Sequence, residues 1–104
     1  MKVPVSTYEK TLGMLYFARM LDKIRKMDKS ELREDFHGNL GEGIDARCVK
    51  YLRVKYDDLV KQTLLGGSDE EVLQWCYQAG RELDANDIFI WNQFVSKFGW
   101  RCRG

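Results

Sequence analysis

Met14-Leu15-Tyr16-Phe17-Ala18-Arg19-Met20-Leu21-Asp22-Lys23-Ile24 is the stretch whose reading decides the fold. Met14, Phe17, Leu21 and Ile24 recur at the three-and-four spacing of one helix face, with Ala18 and Met20 beside them. Arg19, Asp22, Lys23 and Lys26 project from the opposite side. Leu12, Leu15 and Tyr16 make the first turns apolar nearly all round, so this end should be deeply packed. The pattern predicts a first helix over about residues 11–26. Asp22 and Lys26, four apart, form a surface pair worth a few tenths of a kcal/mol.

Downstream, glycines cut the chain into pieces of helix length: Gly38, Gly41 and Gly43, then Gly66-Gly67, then Gly80 and Gly99. Ser30 is placed to cap a short continuation through Phe36. Asp45 reads as the N-cap of a short second helix whose Val49 and Leu52 face inward. Lys55–Leu65 carries the apolar set Tyr56, Leu59, Val60 and Leu64, with Gly66 where a left-handed C-terminal residue is expected. Ser68-Asp69-Glu70-Glu71 is the clearest local signal. Ser68 accepts from the amide three residues on, Glu71 reaches back to the Ser68 amide, and Asp69 and Glu70 complement the helix dipole. Val72, Leu73, Cys76 and Ala79 form the buried stripe that follows, and Gly80 ends it. The last helix runs from about Asn86 to Phe98, with Ile88, Trp91, Val95 and Phe98 on one face.

No segment sustains a two-residue alternation, so no sheet is expected. The fold class is all-α, a compact bundle of about five helices in a single domain over residues 1–104. A disordered stretch over 1–8, holding the only proline, Pro4, precedes it, and a short tail over 100–104 follows. At 104 residues, 44% hydrophobic and 32% charged, one core is within reach. Folding at this size buries roughly 60–70% of the unfolded surface. Seventeen basic and 16 acidic residues leave a net charge of +1, which supplies no long-range pull toward nucleic acid or an anionic membrane. Cys48, Cys76 and Cys102 are odd in number and widely spaced, which fits neither a disulfide framework nor a zinc site. Cys76 reads as a core residue and Cys102 as exposed. The start lacks a signal peptide and no apolar run reaches membrane-spanning length, so a cytoplasmic protein is expected.

The chemistry-bearing residues give several readings. The lone histidine, His37, has Cys48 as the nearest partner for a nucleophile pair, but a single loop histidine is more often a hydrogen-bonding residue. His37, Cys48 and Asp45 match no metal-ligand spacing. The Gly38–Gly43 cluster lacks the lysine and strand-to-helix context of a phosphate loop. Arg19 follows an all-round apolar turn, so its guanidinium needs an acceptor, either a structural carboxylate such as Asp45 or an anionic ligand. The structural partner is favoured. Phe89 and Phe94 fall off the main stripe of the last helix, as a partner surface or as a second packed face.

Phe17-Ala18-Arg19-Met20-Leu21-Asp22-Lys23-Ile24-Arg25 resembles the opening helix of a bacterial family of small helical proteins, a domain of unknown function (DUF5069). Ile44-Asp45-Ala46-Arg47, Ser68-Asp69-Glu70-Glu71-Val72-Leu73-Gln74-Trp75 and Ile88-Phe89-Ile90-Trp91-Asn92-Gln93-Phe94 fit the same family in order, from about residue 10 to 100. Family members carry an Asn-Cys-Pro-Leu-Asp run before the second helix. Leu40-Gly41-Glu42-Gly43-Ile44-Asp45 stands there in this chain, so no role of that loop cysteine carries over. The resemblance implies a helical domain with no assigned activity, and it singles out Arg19, Asp22, Lys23, Asp45, Arg47, Trp91 and Asn92.

The expected function is a non-catalytic interaction or small-ligand-binding module. Its ligand-binding surface is expected where Arg19 and Lys23 of the first helix meet Asp45 and Arg47 of the second and Trp91 and Asn92 of the last. Another protein or a small anionic ligand is the expected partner, with no cofactor, metal or membrane. The alternatives are an enzyme on a small anionic substrate, using Arg19 for charge and Asp22, Asp45 or His37 for proton transfer, or nucleic-acid binding through the basic face of the first helix. Neutral net charge argues against the latter.

Overall fold

A computed structural model describes residues 2–98 of the chain. The predicted helical segments are present, but the chain enters the first of them differently from the sequence reading. Lys10–Thr11 (β1) and Met14–Leu15 (β2) form a small antiparallel hairpin, pairing Lys10 with Leu15 and Thr11 with Met14. Leu12 and Gly13 both have positive φ, +50° and +86°, as the tight two-residue turn between paired strands requires. No sheet was expected here, and the first helix was expected from residue 11. It begins instead at Phe17, because Tyr16 (φ +74°) turns the chain out of β2.

The first helix, α1, is Phe17–Asp28 and buries Phe17, Met20, Leu21 and Ile24 against the rest of the bundle. Ser30, with φ +58°, ends the turn after α1 rather than capping a continuation. A 3-10 turn at Glu34–Asn39 follows. α2 is Ile44–Leu52, α3 Tyr56–Leu64, α4 Asp69–Ala79 and α5 Ala85–Phe98. The molecule is therefore mostly helical, with five α-helices among the described residues. The capping box at the start of α4 forms as the sequence predicts. Glu71 N–H donates to Ser68 Oγ at 3.2 Å, and Ser68 N–H donates to Glu71 Oε1 at 3.0 Å.

The amino-terminal stretch expected to be disordered is tied to the bundle. Lys2 bridges Leu32 in parallel. Val5 N–H donates to Asp22 Oδ2 at 2.9 Å, and Arg19 Nη1 donates to the Val5 carbonyl at 2.9 Å. The expected tail over 100–104, including Trp100 and Cys102, lies outside the described residues. No helix among the described residues is long and apolar enough to cross a membrane.

The core runs through Met14, Phe17, Met20, Leu21, Cys48, Leu52, Leu59, Leu73, Cys76 and Val95. On α5 the predicted stripe is only partly inside. Trp91 and Val95 are buried and Ile88 is half-buried, but Phe98 is 41% exposed. Asp45 is not an N-cap. Gly43 holds that place, and Asp45, one position inside α2, turns into the core.

Candidate functional site

The six residues expected to share one surface are divided among four places. Lys23 and Asp45 form a sealed ion pair at 2.9 Å, with side chains 1% and 0% exposed. Tyr16 Oη donates to Asp45 Oδ1 at 2.6 Å, Lys23 Nζ donates to Tyr16 Oη at 3.1 Å, and Gly41 N–H donates to Asp45 Oδ2 at 3.1 Å. Each buried polar group thereby meets a complementary one, without which its desolvation would cost several kcal/mol. Burial, with the Asp45 carboxylate alongside, pushes the Tyr16 phenol far above its ordinary range. This cluster is closed to solvent and holds the hairpin exit, α1 and α2 together.

Arg19 was expected to bridge to Asp45. That carboxylate is taken by Lys23 and Tyr16, one helical turn away in either direction, and Arg19 reaches across α1 to Val5 instead. Its guanidinium also lies 5.6 Å from the Phe36 ring centroid. Trp91 and Asn92 grip the hairpin. Trp91 Nε1 donates to the Leu15 carbonyl at 2.8 Å. Asn92 accepts from Leu15 N–H and donates to the Gly13 carbonyl, each at 2.9 Å. These bonds satisfy the polar groups that α5 carries into its apolar face.

The nucleophile-pair reading finds no support in the geometry. His37 Nε2 donates to the Leu32 carbonyl at 2.8 Å, and Cys48 is fully buried, its thiol pushed well above the ordinary value by that burial. Cys76 is likewise raised by burial, to about 12. Among the described residues no group of three His, Cys, Asp or Glu side chains is arranged to hold a metal ion.

Arg47, the remaining basic residue of the expected set, opens onto a groove of about 410 Å³ between α2 and α5. Arg47, Lys50, Tyr51, Arg53, Arg81, Ile90, Trp91 and Phe94 line it. Its wall is a ladder of rings: Tyr51 to Trp91 at 5.4 Å between centroids, Trp91 to Phe94 at 5.4 Å, and Phe94 onward to Phe98 at 5.0 Å. Two guanidiniums lie on these rings, Arg81 4.5 Å from the Tyr51 centroid and Arg47 5.5 Å from that of Phe94. Tyr51 Oη donates to the Asp87 carbonyl at 2.7 Å, which ties α2 to α5 across the groove.

Local backbone structure delivers the cations. Arg47 and Lys50 stand three apart on α2, and Arg53 ends that helix in the left-handed conformation (φ +60°). Arg81 arrives from the other side because Gly80 lies against the end of α2. A Cβ at Gly80 would fall 2.0 Å from the Leu52 carbonyl oxygen, so only glycine permits the approach. Arg81 N–H then donates to the Leu52 carbonyl at 3.0 Å, and its Nε donates to the Tyr51 carbonyl at 2.7 Å. Gly80 therefore does more than stop α4. Arg81 Nη1 sits 3.4 Å from Asp87 Oδ2, whereas no ion pair among the described residues involves Arg47, Lys50 or Arg53. Complementing the helix dipole accounts for cations at the carboxyl end of α2, Lys50 and Arg53. It does not account for Arg47, which lies in the amino-terminal half of the helix.

The sequence reading named Arg47 and Trp91 but missed Lys50, Tyr51, Arg53 and Arg81. Arg47, Lys50 and Arg53 recur at every third position, a spacing that puts them along one side of a helix. Nothing local in the sequence joins Arg81 to them.

No curated protein and no solved structure is significantly similar to the chain. The family resemblance is borne out over the full length: a family model matches residues 1–104, and the chain belongs to the family described as Domain of unknown function (DUF5069).

Proposed function

We propose that the protein is a non-catalytic binding module and that the groove between α2 and α5 takes a small anionic ligand. One observation carries the reading. Arg47, Lys50 and Arg53 stand in a row along the α2 side of an aromatic floor, without a carboxylate partner among the described residues, in a chain whose net charge is only +1. Of the cations elsewhere, Lys2 pairs with Glu31, Arg25 with Asp69 and Lys26 with Asp22, while Lys10, Lys29, Lys55, Lys61 and Lys97 have no ion pair among the described residues. The groove differs in gathering its unpaired cations in one place. A cluster of like charges repels itself, and an anion relieves that repulsion while gaining charge-assisted hydrogen bonds. The volume falls within the roughly 300–1,000 Å³ of small-molecule sites. The lining supplies guanidinium, ammonium and ring groups, which hold and orient a ligand, and no carboxylate, imidazole or thiol to carry a proton or attack a bond. Two buried free cysteines fit a reducing compartment, so we place the protein in the cytoplasm.

The test is chemical-shift mapping of the ¹⁵N-labelled chain titrated with sulfate, citrate and pyrophosphate against sodium chloride of equal ionic strength. Saturable shifts should concentrate on Arg47, Lys50, Arg53, Arg81 and the Trp91 indole, and weaken in Arg47→Gln. If every anion reproduces the sodium chloride response, the proposal is wrong.

A further inference from the structure

Given the anion-binding groove proposed above, on which this inference rests, we propose that its ligand is an organic diphosphate. Its two phosphoryl groups lie along the row of cations and its organic body against Ile90 and Phe94.

Charge comes first. Four cations line the groove and Asp87 offsets one of them through Arg81, leaving an excess of three. A carboxylate brings one negative charge and a phosphomonoester about −1.5 to −2 at neutral pH. A second linked phosphoryl adds a further ionised oxygen and brings the ligand close to the excess. Three of the four cations are arginines, whose planar forks match phosphoryl oxygens two at a time. Two of those forks are already held in place, Arg81 by the Tyr51 ring and carbonyl and Arg47 by the Phe94 ring. Little ordering of these side chains remains to oppose binding.

The spacing points the same way. From Arg47 to Arg53 the chain advances six residues, about 9 Å along α2 at 1.5 Å per residue. The cations therefore form a row rather than a single focus, which suits linked phosphoryl groups better than one tetrahedral anion. Beside the row, Ile90 is half-exposed and Phe94 half-buried, an apolar surface for the rest of the molecule. A nucleic-acid strand would need free ring faces on which bases stack. Here Trp91 is buried, Tyr51 carries Trp91 and Arg81, and Phe94 carries Trp91, Phe98 and Arg47. That occupancy favours a small molecule over a strand.

The experiment is calorimetric titration of the full chain, with shift mapping, against orthophosphate, citrate, pyrophosphate, ADP, geranyl diphosphate and a dT oligonucleotide at matched ionic strength. Pyrophosphate should bind at least tenfold tighter than orthophosphate or citrate, and at least one of ADP and geranyl diphosphate tighter still. Which of the two wins tells a nucleoside source from an isoprenoid one. Arg47→Gln and Lys50→Gln, both solvent-facing, should each weaken pyrophosphate binding about tenfold with an unchanged melting temperature. Citrate matching pyrophosphate at the groove overturns the diphosphate assignment and leaves the anion-binding module standing. An organic diphosphate no tighter than pyrophosphate removes the organic body, and a tighter dT oligonucleotide replaces the small molecule with a strand. Silence of the groove toward every anion removes both readings.

Discussion

Arg53 separates what the fold needs from what the groove needs. It closes α2 in a Schellman arrangement: Arg53 N–H donates to the Lys50 carbonyl at 3.1 Å and Val54 N–H to the Val49 carbonyl at 3.0 Å. That place normally belongs to glycine, because an L-residue in the left-handed region costs about 1–2 kcal/mol. Glycine would in turn lose about 0.5–1 kcal/mol more conformational entropy on folding. Arg53→Gly should thus stabilise the protein by about 0.5–1 kcal/mol and raise Tm by about 2–6 °C. The same change removes one guanidinium from the groove. A hydrogen bond to a charged group is worth about 1.5–3 kcal/mol, so pyrophosphate affinity should fall about ten- to a hundredfold. Thermal melting followed by circular dichroism and calorimetric titration read the two effects on one sample. A Tm lowered by Arg53→Gly would refute the reasoning, since the arginine would then be serving the fold.

Lys23→Met should cost about 3–5 kcal/mol by leaving Asp45 charged, buried and unpaired. Adding Asp45→Asn should recover at least 1 kcal/mol of that in urea unfolding, because the amide oxygen still accepts from Tyr16; no recovery would show that the charge is not the cause. Thr11 Oγ1 is the one buried side-chain oxygen or nitrogen without a partner among the described residues. Thr11→Val keeps the shape and should raise stability by about 1 kcal/mol, read as a higher urea midpoint at unchanged m; a lower midpoint contradicts it. Tyr16, Cys48, Tyr56 and Cys76 all have pKa values raised by burial. Each ionises more readily in the unfolded chain, so their contribution is complete below the unfolded thiol value near 9.0 and is lost as pH rises toward the folded values. The slope is up to about 1.4 kcal/mol per pH unit and group. Urea midpoints at pH 7, 9 and 10.5 should therefore decline, and a flat series would exclude this linkage.

Helix faces were legible where the periodicity ran through the core, as at Phe17, Leu21 and Ile24, and so was the capping box, because its parts lie within four residues. The hairpin was not. Two-residue strands are too short to show alternation, and the first turn position holds Leu12 where asparagine or aspartate would announce it. Gly13 alone marked the turn, inside an apolar run that also fits a helix. The hairpin forms because Asn92 and Trp91, more than 75 residues away, bond Gly13 and Leu15; such partners cannot be read from a local pattern. The pairing of Asp45 shows a similar limit. Arg19 and Lys23 stand one helical turn apart, and sequence alone does not tell which of them points at α2. The groove was half-visible, through Arg47 and Trp91, and its other half waited on Gly80 bringing Arg81 to the end of α2.

The near-neutral net charge is itself misleading about binding, and the reason lies in α2. That helix contains one carboxylate, Asp45, and two cations, Arg47 and Lys50. Had Asp45 capped the helix from the surface, its carboxylate would have stood at the Arg47 end of α2, two residues from Arg47 and five from Lys50, and offset one positive charge there. Turned inward, it neutralises Lys23 instead, and that pair drops out of the surface charge altogether. The outer face of α2 is left with cations alone, and Arg53 and Arg81 extend them. On α1, by contrast, the half-buried Asp22 pairs with Lys26 on its own helix, and the two charges balance. A chain with a net charge of +1 thus becomes a molecule with one concentrated basic groove, produced by the same buried ion pair that joins α1 to α2. It follows that the closed polar cluster and the open cationic one are not independent features, since the first withdraws from α2 the one carboxylate that would have lessened the charge of the second.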